Sequence, residues 1–280
     1  MLKPAAHQVA GHQAGGGKVG PLIDGEGKFY KPLQDGARGE REKKFYECFW
    51  ADNNVPSCIK SFFPCFYGTS KVEGLDGSGF IDHLVLEDLT QRFQRPCVID
   101  LKMGVHTWYP GASEQYIAKC MEKDAETTSK DLGFRVSGLQ VFDASSGKTW
   151  KPARVWCKML DVDATKTLLK QFVSSNPRDD KSLDCAHASV VYGFTDGIIN
   201  QLSELRSWFS MQESYHFFSS SILLMYESDC HTHGSRVNTQ GTVKLVDFPH
   251  VLTGQGSIDD NFLKGLDTLI GILCEIAGQS

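Results

Sequence analysis

Residues 96–104 have the sequence Pro-Cys-Val-Ile-Asp-Leu-Lys-Met-Gly, an apolar stretch that contains two opposite charges. The β-branched and apolar residues predict a strand over 97–103, preceded by Pro96, where a missing N–H does least harm. Because alternate residues of a strand share a face, we expect Asp100 and Lys102 to point the same way. A weak, exposed ion pair on a half-buried strand would have this spacing too. The flanking Pro96 and Gly104 make the pattern more distinctive than such a pair.

The composition around this stretch is that of a globular protein with a hydrophobic core. The chain has 280 residues, 41% hydrophobic and 22% charged, which fits one large domain or two modest lobes. Its 29 basic and 34 acidic residues give a formal charge of −5. This balance argues against a nucleic-acid coat or a membrane-surface protein, which need a basic excess. We find no run approaching the roughly 18 apolar residues of a membrane span, and no apolar signal core at the start.

The nine cysteines form no Cys-x-x-Cys pair and are odd in number. This pattern predicts reduced thiols in an intracellular compartment rather than a disulfide framework.

Hydrophobic periodicity predicts a mixed α+β chain in two unequal parts, with the sheet-rich part first. Besides 97–103, strands are expected over 28–33, 62–67, 81–87, 134–142, 219–227 and 242–248, the last two as a hairpin. Helices are expected over 39–52, 113–132, 163–173, 196–209 and 259–277.

Three further charges lie where phosphoryl transfer would use them. Asp247 follows an apolar run, and a carboxylate just beyond a buried strand is well placed to hold a metal between nucleotide phosphates. Lys31 ends an early predicted strand, and Glu42 lies 11 residues later in the next predicted helix. A strand lysine oriented by a helix glutamate binds α/β-phosphates in kinases. Each signal is weak alone, and their order with Asp100 and Lys102 strengthens all of them.

The Pro-x-x-x-Asp-x-Lys-x-Gly pattern resembles the signature of the inositol polyphosphate kinase family. Four other stretches resemble that family in order: His7-Gln-Val-Ala-Gly-His12 its opening before a phosphate-covering loop, Leu86-Glu87-Asp88-Leu89 its hinge, Ser220-Ser221-Ile222-Leu223 its Ser-Ser-Leu-Leu strand, and Val246-Asp247-Phe248 its metal motif. The similarity extends over the chain, and its length and opening are most like those of plant-type multikinases. It replaces the interpretation of the glycine-rich start as a frayed terminus.

The resemblance implies a two-lobed, protein-kinase-like fold of the ATP-grasp/kinase-like type. Residues 1–90 are expected to form the ATP-binding lobe, with the hinge near 87–90. Residues 91–280 would carry the catalytic motifs and an inositol-phosphate-binding helical insert at about 105–190.

The resemblance also implies ATP-dependent phosphorylation of inositol tris- and tetrakisphosphates, a 6-/3-kinase activity towards the pentakisphosphate, with ATP and Mg²⁺ as cofactors. Lys31, positioned by Glu42, would hold the α/β-phosphates, and Asp247 would bind Mg²⁺. The backbones of Glu87 and Leu89 would contact adenine.

Two roles stay open for Asp100, which would either accept the proton of the attacking hydroxyl or hold the nucleotide ribose. Lys102 would lie between the γ-phosphate and the substrate and neutralise developing charge.

A soluble inositol phosphate is a dense polyanion, so its pocket needs several cations. The candidates are Arg38, Lys102, Lys119, Lys123 and His250, with Arg154 a weaker one. By spacing alone, Lys119 and Lys123 fit a solvated helix face as well; the family places substrate-binding basic residues in this helix.

Two other clusters attract less weight. Cys230, His231 and His233 have metal-like composition but occupy a polar loop without a partner set. Cys185 and His187 could suggest a nucleophile and its base, but no oxyanion motif accompanies them.

Several alternatives remain within and outside the family. An inositol trisphosphate 3-kinase or an inositol hexakisphosphate kinase would share the quoted motifs, although the calmodulin-regulated 3-kinases are disfavoured by the absence of a long N-terminal extension. A non-catalytic transcriptional scaffold is the rival of another class, and the presence of every phosphate and metal residue argues against it. We expect a monomer that acts without direct nucleic-acid contact or membrane insertion, with transcription-complex proteins as further partners. Nuclear and cytoplasmic residence is implied only by the resemblance.

Overall fold

A computed structural model describes residues 2–9, 20–73, 79–143, 146–179, 182–193, 195–228 and 240–278. Its strands are β1 (Lys3–Pro4), β2 (Leu22–Ile23), β3 (Lys28–Pro32), β4 (Phe66–Glu73), β5 (Phe80–Glu87), β6 (Pro96–Met103), β7 (Phe134–Asp143), β8 (Lys148–Trp150), β9 (Tyr215–Phe217), β10 (Ser221–Glu227), β11 (Thr242–Val246) and β12 (Val251–Thr253). Its helices are α1 (Ala37–Ala51), α2 (Ser57–Lys60), α3 (Glu114–Ala125), α4 (Ser129–Leu132), α5 (Arg154–Lys158), α6 (Val162–Phe172), α7 (Ala188–Val191), α8 (Ile198–Phe209) and α9 (Asp260–Ile276).

Two five-stranded antiparallel sheets form the framework of the molecule. The first has the order β1-β2-β3-β5-β4 and the second β11-β10-β6-β7-β8. The predicted hairpin of β10 and β11 is confirmed, with Ser221 opposite Val246. Strand β6 lies at the centre of the second sheet and is buried along nearly its whole length, which explains its apolar sequence.

Helix α1 joins the first sheet to a core that continues into the second. Its buried positions Glu42, Phe45, Tyr46 and Phe49 follow the three-and-four spacing of one helical face. The Phe45 ring centroid lies 4.4 Å from that of Phe248, the second residue after β11. Aromatic packing therefore holds α1 against the end of β11, where Asp247 is located.

Two predicted elements differ from the structure. The strand expected at 62–67 is β4, which begins at Phe66. Phe62 and Phe63 are buried, and the Phe62 carbonyl accepts from the Leu245 N–H, so this stretch packs on β11 before the strand begins.

The helix expected over 113–132 is interrupted, since α3 ends at Ala125 and α4 begins at Ser129. The Thr127 and Thr128 hydroxyls donate to the carbonyls of Lys123 and Phe134. Such local side-chain bonds compete with helix continuation. Ser113 caps the start of α3, because its hydroxyl accepts from the Tyr116 N–H.

These sheets and helices confirm the α+β fold class and are consistent with the expected kinase-like fold. The lobe boundary near residue 90 stays a prediction. The stretch 105–190 is not helical throughout, because it also contributes β7 and β8 to the second sheet. Within the described ranges, no helix has the length and apolar character needed to cross a membrane.

Candidate active site

A cavity of about 720 Å³ is lined by residues of both large sheets. Strands β3 and β5 contribute from the first sheet, and β6, β10 and β11 from the second. Its lining includes Lys31, Glu87, Leu89, Asp100 and Asp247. The fold thus gathers the predicted nucleotide residues around one opening of a size typical of ligand sites.

Lys31 lies between two carboxylates. Its Nζ is 2.7 Å from Glu42 Oε1 and 2.7 Å from Asp247 Oδ1. Glu42 is buried, and its Oε1 also accepts from the Phe248 N–H at 3.0 Å. Burial alone would lower the pKa of Lys31, but Asp247 and Glu42 raise it above its ordinary value. The lysine is therefore held charged at the cavity wall.

Asp247 follows the last residue of β11 with φ of +67°, a region that non-glycine residues rarely occupy. The Phe248 bond to Glu42 and the packing of the Phe248 ring restrain this turn. Burial raises the pKa of Asp247, yet Lys31 and Lys102 outweigh it and bring the pKa down to about 2. The carboxylate is ionised and available to a cation in the cavity.

Asp100 and Lys102 both approach Asp247. Lys102 Nζ donates to the Ser219 carbonyl at 2.7 Å and lies 3.9 Å from Asp247 Oδ2. Asp100 is 4% exposed, and its buried Oδ1 has no hydrogen-bond partner among the described residues. Burial raises the pKa of Asp100 to about 6, opposed by Lys102 and supported by Asp247. A change of register between β6 and β7 falls directly after Asp100, an irregularity typical of strands beside active sites.

The predicted hinge follows β5. The Glu87 and Asp88 N–H groups are used internally, donating to the carbonyls of Cys65 and Gly27. The Leu89 N–H donates to no other described residue. It lies at the cavity, where it is free to donate to a ligand.

Positive charge collects beside Asp247, around His250. The His250 ring is stacked 4.7 Å from Tyr109, and its Nε2 lies 3.2 Å from the Tyr116 hydroxyl. Burial, then Arg41, Arg38, Lys102 and Lys123, lower the pKa of His250 to about 3. In the free protein the ring is therefore neutral at neutral pH, and a role for His250 in substrate binding stays a prediction. The other cations are close enough to repel a proton from its ring.

The two candidate lysines of α3, Lys119 and Lys123, lie in different environments. Lys123 is half-buried, and burial followed by the charge of Arg135 lowers its pKa. The next residue, Asp124, accepts from the Thr107 N–H and from Arg135 Nη1 at 2.9 Å. This buried network fixes the orientation of α3 and therefore the position of Lys123. Lys119 is exposed, and no contact among the described residues joins it to the cavity.

Arg38 and Arg41 lie at the start of α1. Arg38 is exposed and lies over the Tyr116 ring at 5.5 Å. Arg41 Nη1 donates to the Tyr109 hydroxyl at 3.2 Å. Sequence reasoning missed Arg41 and Tyr109; the only available signal was that Arg41 precedes Glu42 and shares a helical face with Arg38 three residues earlier.

Arg154, the weaker candidate, lines the cavity at the start of α5. Cys185 and His187 do not line it, in agreement with their low weight. Cys230, His231, His233 and His12 lie outside the described residues. Within the described ranges, no group of three or more His, Cys, Asp and Glu side chains is arranged to hold a metal by itself.

Comparisons with known proteins agree with this geometry. Residues 83–274 match the family model described as inositol polyphosphate kinase. The chain is 49% identical over 278 residues to inositol polyphosphate multikinase alpha of Arabidopsis thaliana, covering 99% of this chain and 96% of that protein. It is 46% identical over 283 residues to the inositol polyphosphate multikinase of Oryza sativa subsp. japonica, covering 99% and 95%.

Two solved structures are similar. One, from structural studies and protein engineering of inositol phosphate multikinase, has a TM-score of 0.71 and 44% identity, covering 84% of this chain and 99% of that one. The inositol phosphate multikinase of S. cerevisiae in complex with ADP and Mn²⁺ has a TM-score of 0.67 and 20% identity, covering 89% and 98%. The second similarity is one of fold.

Proposed function

Because the chain belongs to the inositol polyphosphate kinase family, we propose that it transfers the γ-phosphoryl group of ATP to hydroxyls of inositol tris- and tetrakisphosphates, as a multikinase. One observation carries the proposal. A neutral His250 with Arg38, Arg41, Lys102 and Lys123 around it adjoins the carboxylate and lysine of a nucleotide site. A polyanion and a nucleotide would therefore meet at Asp247.

The nucleotide would lie along the cavity. Adenine would bond to the backbone of Glu87 and Leu89, and Lys31 would contact the α/β-phosphates. Glu42 keeps Lys31 in place, since it bonds both the lysine and the Phe248 N–H. The pair therefore connects phosphate binding to the position of Asp247.

The residues present fit a divalent cation bound together with the nucleotide. Asp247 is ionised and faces Lys31 and Lys102, which it can exchange for phosphate and metal contacts. Asp100 adds a buried carboxylate oxygen without a partner in the described part of the chain. We propose Mg²⁺ as the ion, held by Asp247; when bound, it neutralises phosphate charge and orients the transferring group.

Lys102 is placed to follow the transferring phosphoryl group. It is anchored by the Ser219 carbonyl at 2.7 Å, so its charge is pre-positioned at low reorganisation cost. With a pKa of about 6, Asp100 is ionised at neutral pH and basic enough to accept a proton from an attacking hydroxyl. Holding the nucleotide ribose is its alternative role.

The inositol phosphate would lie against Arg38 and Lys123, with Lys102 between it and the nucleotide. The neutral His250 would act as a hydrogen-bond partner rather than a charge. Lys119 is exposed on α3, so any contribution it makes would be long-range attraction of the polyanion.

Product mapping tests the proposal. The purified chain is incubated with Mg²⁺, ATP and defined inositol tris-, tetrakis- and hexakisphosphates, and the products are assigned by position. Successive phosphorylation to a pentakisphosphate supports the multikinase. Stopping after the 3-position would indicate a 3-kinase, pyrophosphate products from the hexakisphosphate would indicate a hexakisphosphate kinase, and no turnover would favour the scaffold.

The cellular setting is also part of the proposal. We propose a monomer resident in nucleus and cytoplasm, with transcription-complex proteins as additional partners. Light scattering of the purified chain tests the monomer, and imaging of a tagged chain tests its residence.

A further inference from the structure

A second cavity, of about 470 Å³, lies on the other side of the hinge. Glu87, Asp88 and Leu89 line both this cavity and the nucleotide cavity. The hinge is thus a thin wall with open space on each side. Leu89 packs against the cluster of Val9, Phe93, Val98 and Met225, whereas the position of Glu87 and Asp88 depends largely on polar contacts.

Glu87 contacts two other segments of the chain. Its N–H donates to the Cys65 carbonyl at 2.9 Å, and its Oε2 accepts from the Cys65 N–H at 3.2 Å. The same Oε2 lies 3.4 Å from Lys244 Nζ. The Glu87 carboxylate therefore points away from the base-binding side and connects the hinge to two other segments.

Lys244 is located in β11, three residues before Asp247. Its side chain is 15% exposed, and Nζ also donates to the Ser61 carbonyl at 2.9 Å. The next residue, Leu245, donates its N–H to the Phe62 carbonyl at 2.8 Å. One strand thus contacts the hinge through Lys244 and the phosphate end of the cavity through Asp247.

We infer that Lys244 is a positioning residue for the adenine base: through the Glu87 carboxylate it fixes the hinge relative to β11, the strand directly before Asp247. The inference rests on the proposed ATP-dependent function and assigns a role within its nucleotide site. Lys244 itself touches neither the nucleotide nor the inositol phosphate.

Loss of the Lys244 charge would act on one end of the nucleotide only. In Lys244→Met the backbone pairing of β11 with β10 remains, including Leu223 opposite residue 244, so Asp247 keeps its place. Glu87 would be left as a partly buried carboxylate without its counter-charge. Such a group turns towards water and would release the Cys65 N–H, so that only the main-chain bonds of Glu87 to Cys65 and of Asp88 to Gly27 would still hold the hinge.

Calorimetric titration of the full chain separates the two ends. The probes are adenosine, which has only the base and ribose, Mg²⁺-tripolyphosphate, which has only phosphates, and Mg²⁺-ADP. Lys244→Met and Glu87→Gln are each expected to weaken the binding of adenosine and of Mg²⁺-ADP by about threefold to tenfold, the scale of a partly buried ion pair. The dissociation constant of Mg²⁺-tripolyphosphate should change by less than about twofold.

Three controls make the result specific. The double variant should bind adenosine no more weakly than the single variant with the lower affinity, because both substitutions remove the same interaction. Lys244→Arg should stay within about twofold of wild type. Arg206→Met breaks the 2.8 Å pair with Asp267 between α8 and α9, outside both cavities. It should leave the affinity for all three probes unchanged.

The outcomes separate the inference from the kinase proposal. Equal weakening of adenosine and tripolyphosphate, or unchanged adenosine binding in Glu87→Gln, would overturn the positioning role. A wild-type chain that bound neither ADP nor tripolyphosphate would overturn the kinase proposal, and the inference with it.

Discussion

Replacing Asp100 by asparagine should stabilise the free protein while impairing its reaction. The carboxyl is 4% exposed, and burial raises its pKa from 3.8 to about 6. A raised carboxyl pKa means that the ionised form is disfavoured in the folded state. At about 1.4 kcal/mol per pKa unit, a shift of about two units corresponds to about 3 kcal/mol of destabilisation at neutral pH.

The sign of the pH dependence follows from the same shift. The folded state holds the Asp100 proton more tightly than the unfolded chain, so the free energy of unfolding falls as pH rises from about 4 to about 6. Asparagine lacks this titration. We therefore expect Asp100→Asn and wild type to differ little near pH 4, and the variant to be more stable above pH 6.5.

The amide must place an NH₂ group where the carboxylate had an unpartnered oxygen, which lowers the gain to about 1–3 kcal/mol. For a chain of this length that is about 2–5 °C in Tm. The assay is thermal unfolding of both proteins without ligand, from pH 4 to pH 8. Asp267→Asn, an exposed aspartate paired with Arg206, is the matched control and should show no pH-dependent gain.

The same variant distinguishes the two roles of Asp100. If it accepts the proton, kcat should fall by on the order of 10²-fold or more with the ATP KM little changed. If it holds the ribose, the ATP KM should rise instead. Equal stability of the variant and wild type at pH 7.5, or a difference independent of pH, would refute the argument from burial.

Four other substitutions test the remaining site residues. Asp247→Asn should reduce Mg²⁺-dependent turnover to below about a tenth of wild type while the protein stays folded, measured by turnover and thermal melt together; substantial residual turnover would contradict a metal-binding role. Lys102→Ala should lower the single-turnover rate by on the order of 10²-fold with ATP binding little changed; a normal rate with weaker substrate binding would make it only a binding residue. Lys123→Ala should raise the KM for inositol phosphates more than Lys119→Ala, with the ATP KM unchanged and the Lys119 effect lost at high salt; equal effects would contradict the difference in burial.

Local signals in the sequence were sufficient for most of the elements. The alternation of 97–103, the helical spacing of Phe45 and Phe49, and the two apolar runs around 219–248 each depend on neighbours within one strand or helix turn. Two predictions were wrong for different reasons. The stretch 62–67 depends on a distant partner, Leu245, to which the Phe62 carbonyl is bonded. The helix at 113–132 is broken by local bonds of the Thr127 and Thr128 hydroxyls, which compete with helix continuation.

The sequence by itself determined the candidate residues for the chemistry and their order: Lys31, Glu42, Asp100, Lys102 and Asp247. Side-chain type, strand alternation and helix periodicity are local properties, and the resemblance rests on them too.

Only the tertiary structure decided which of these charges meet and in what state. Lys31 and Asp247 are 216 residues apart and form a 2.7 Å ion pair. His250 is neutral and Asp100 has a raised pKa because burial and charges from other segments act on them. The contact of Lys244 with Glu87 also joins residues far apart in the chain, and no sequence pattern predicts it. Electrostatic energy depends on distance and on exclusion of water, and both are set by chain packing rather than by neighbours in sequence.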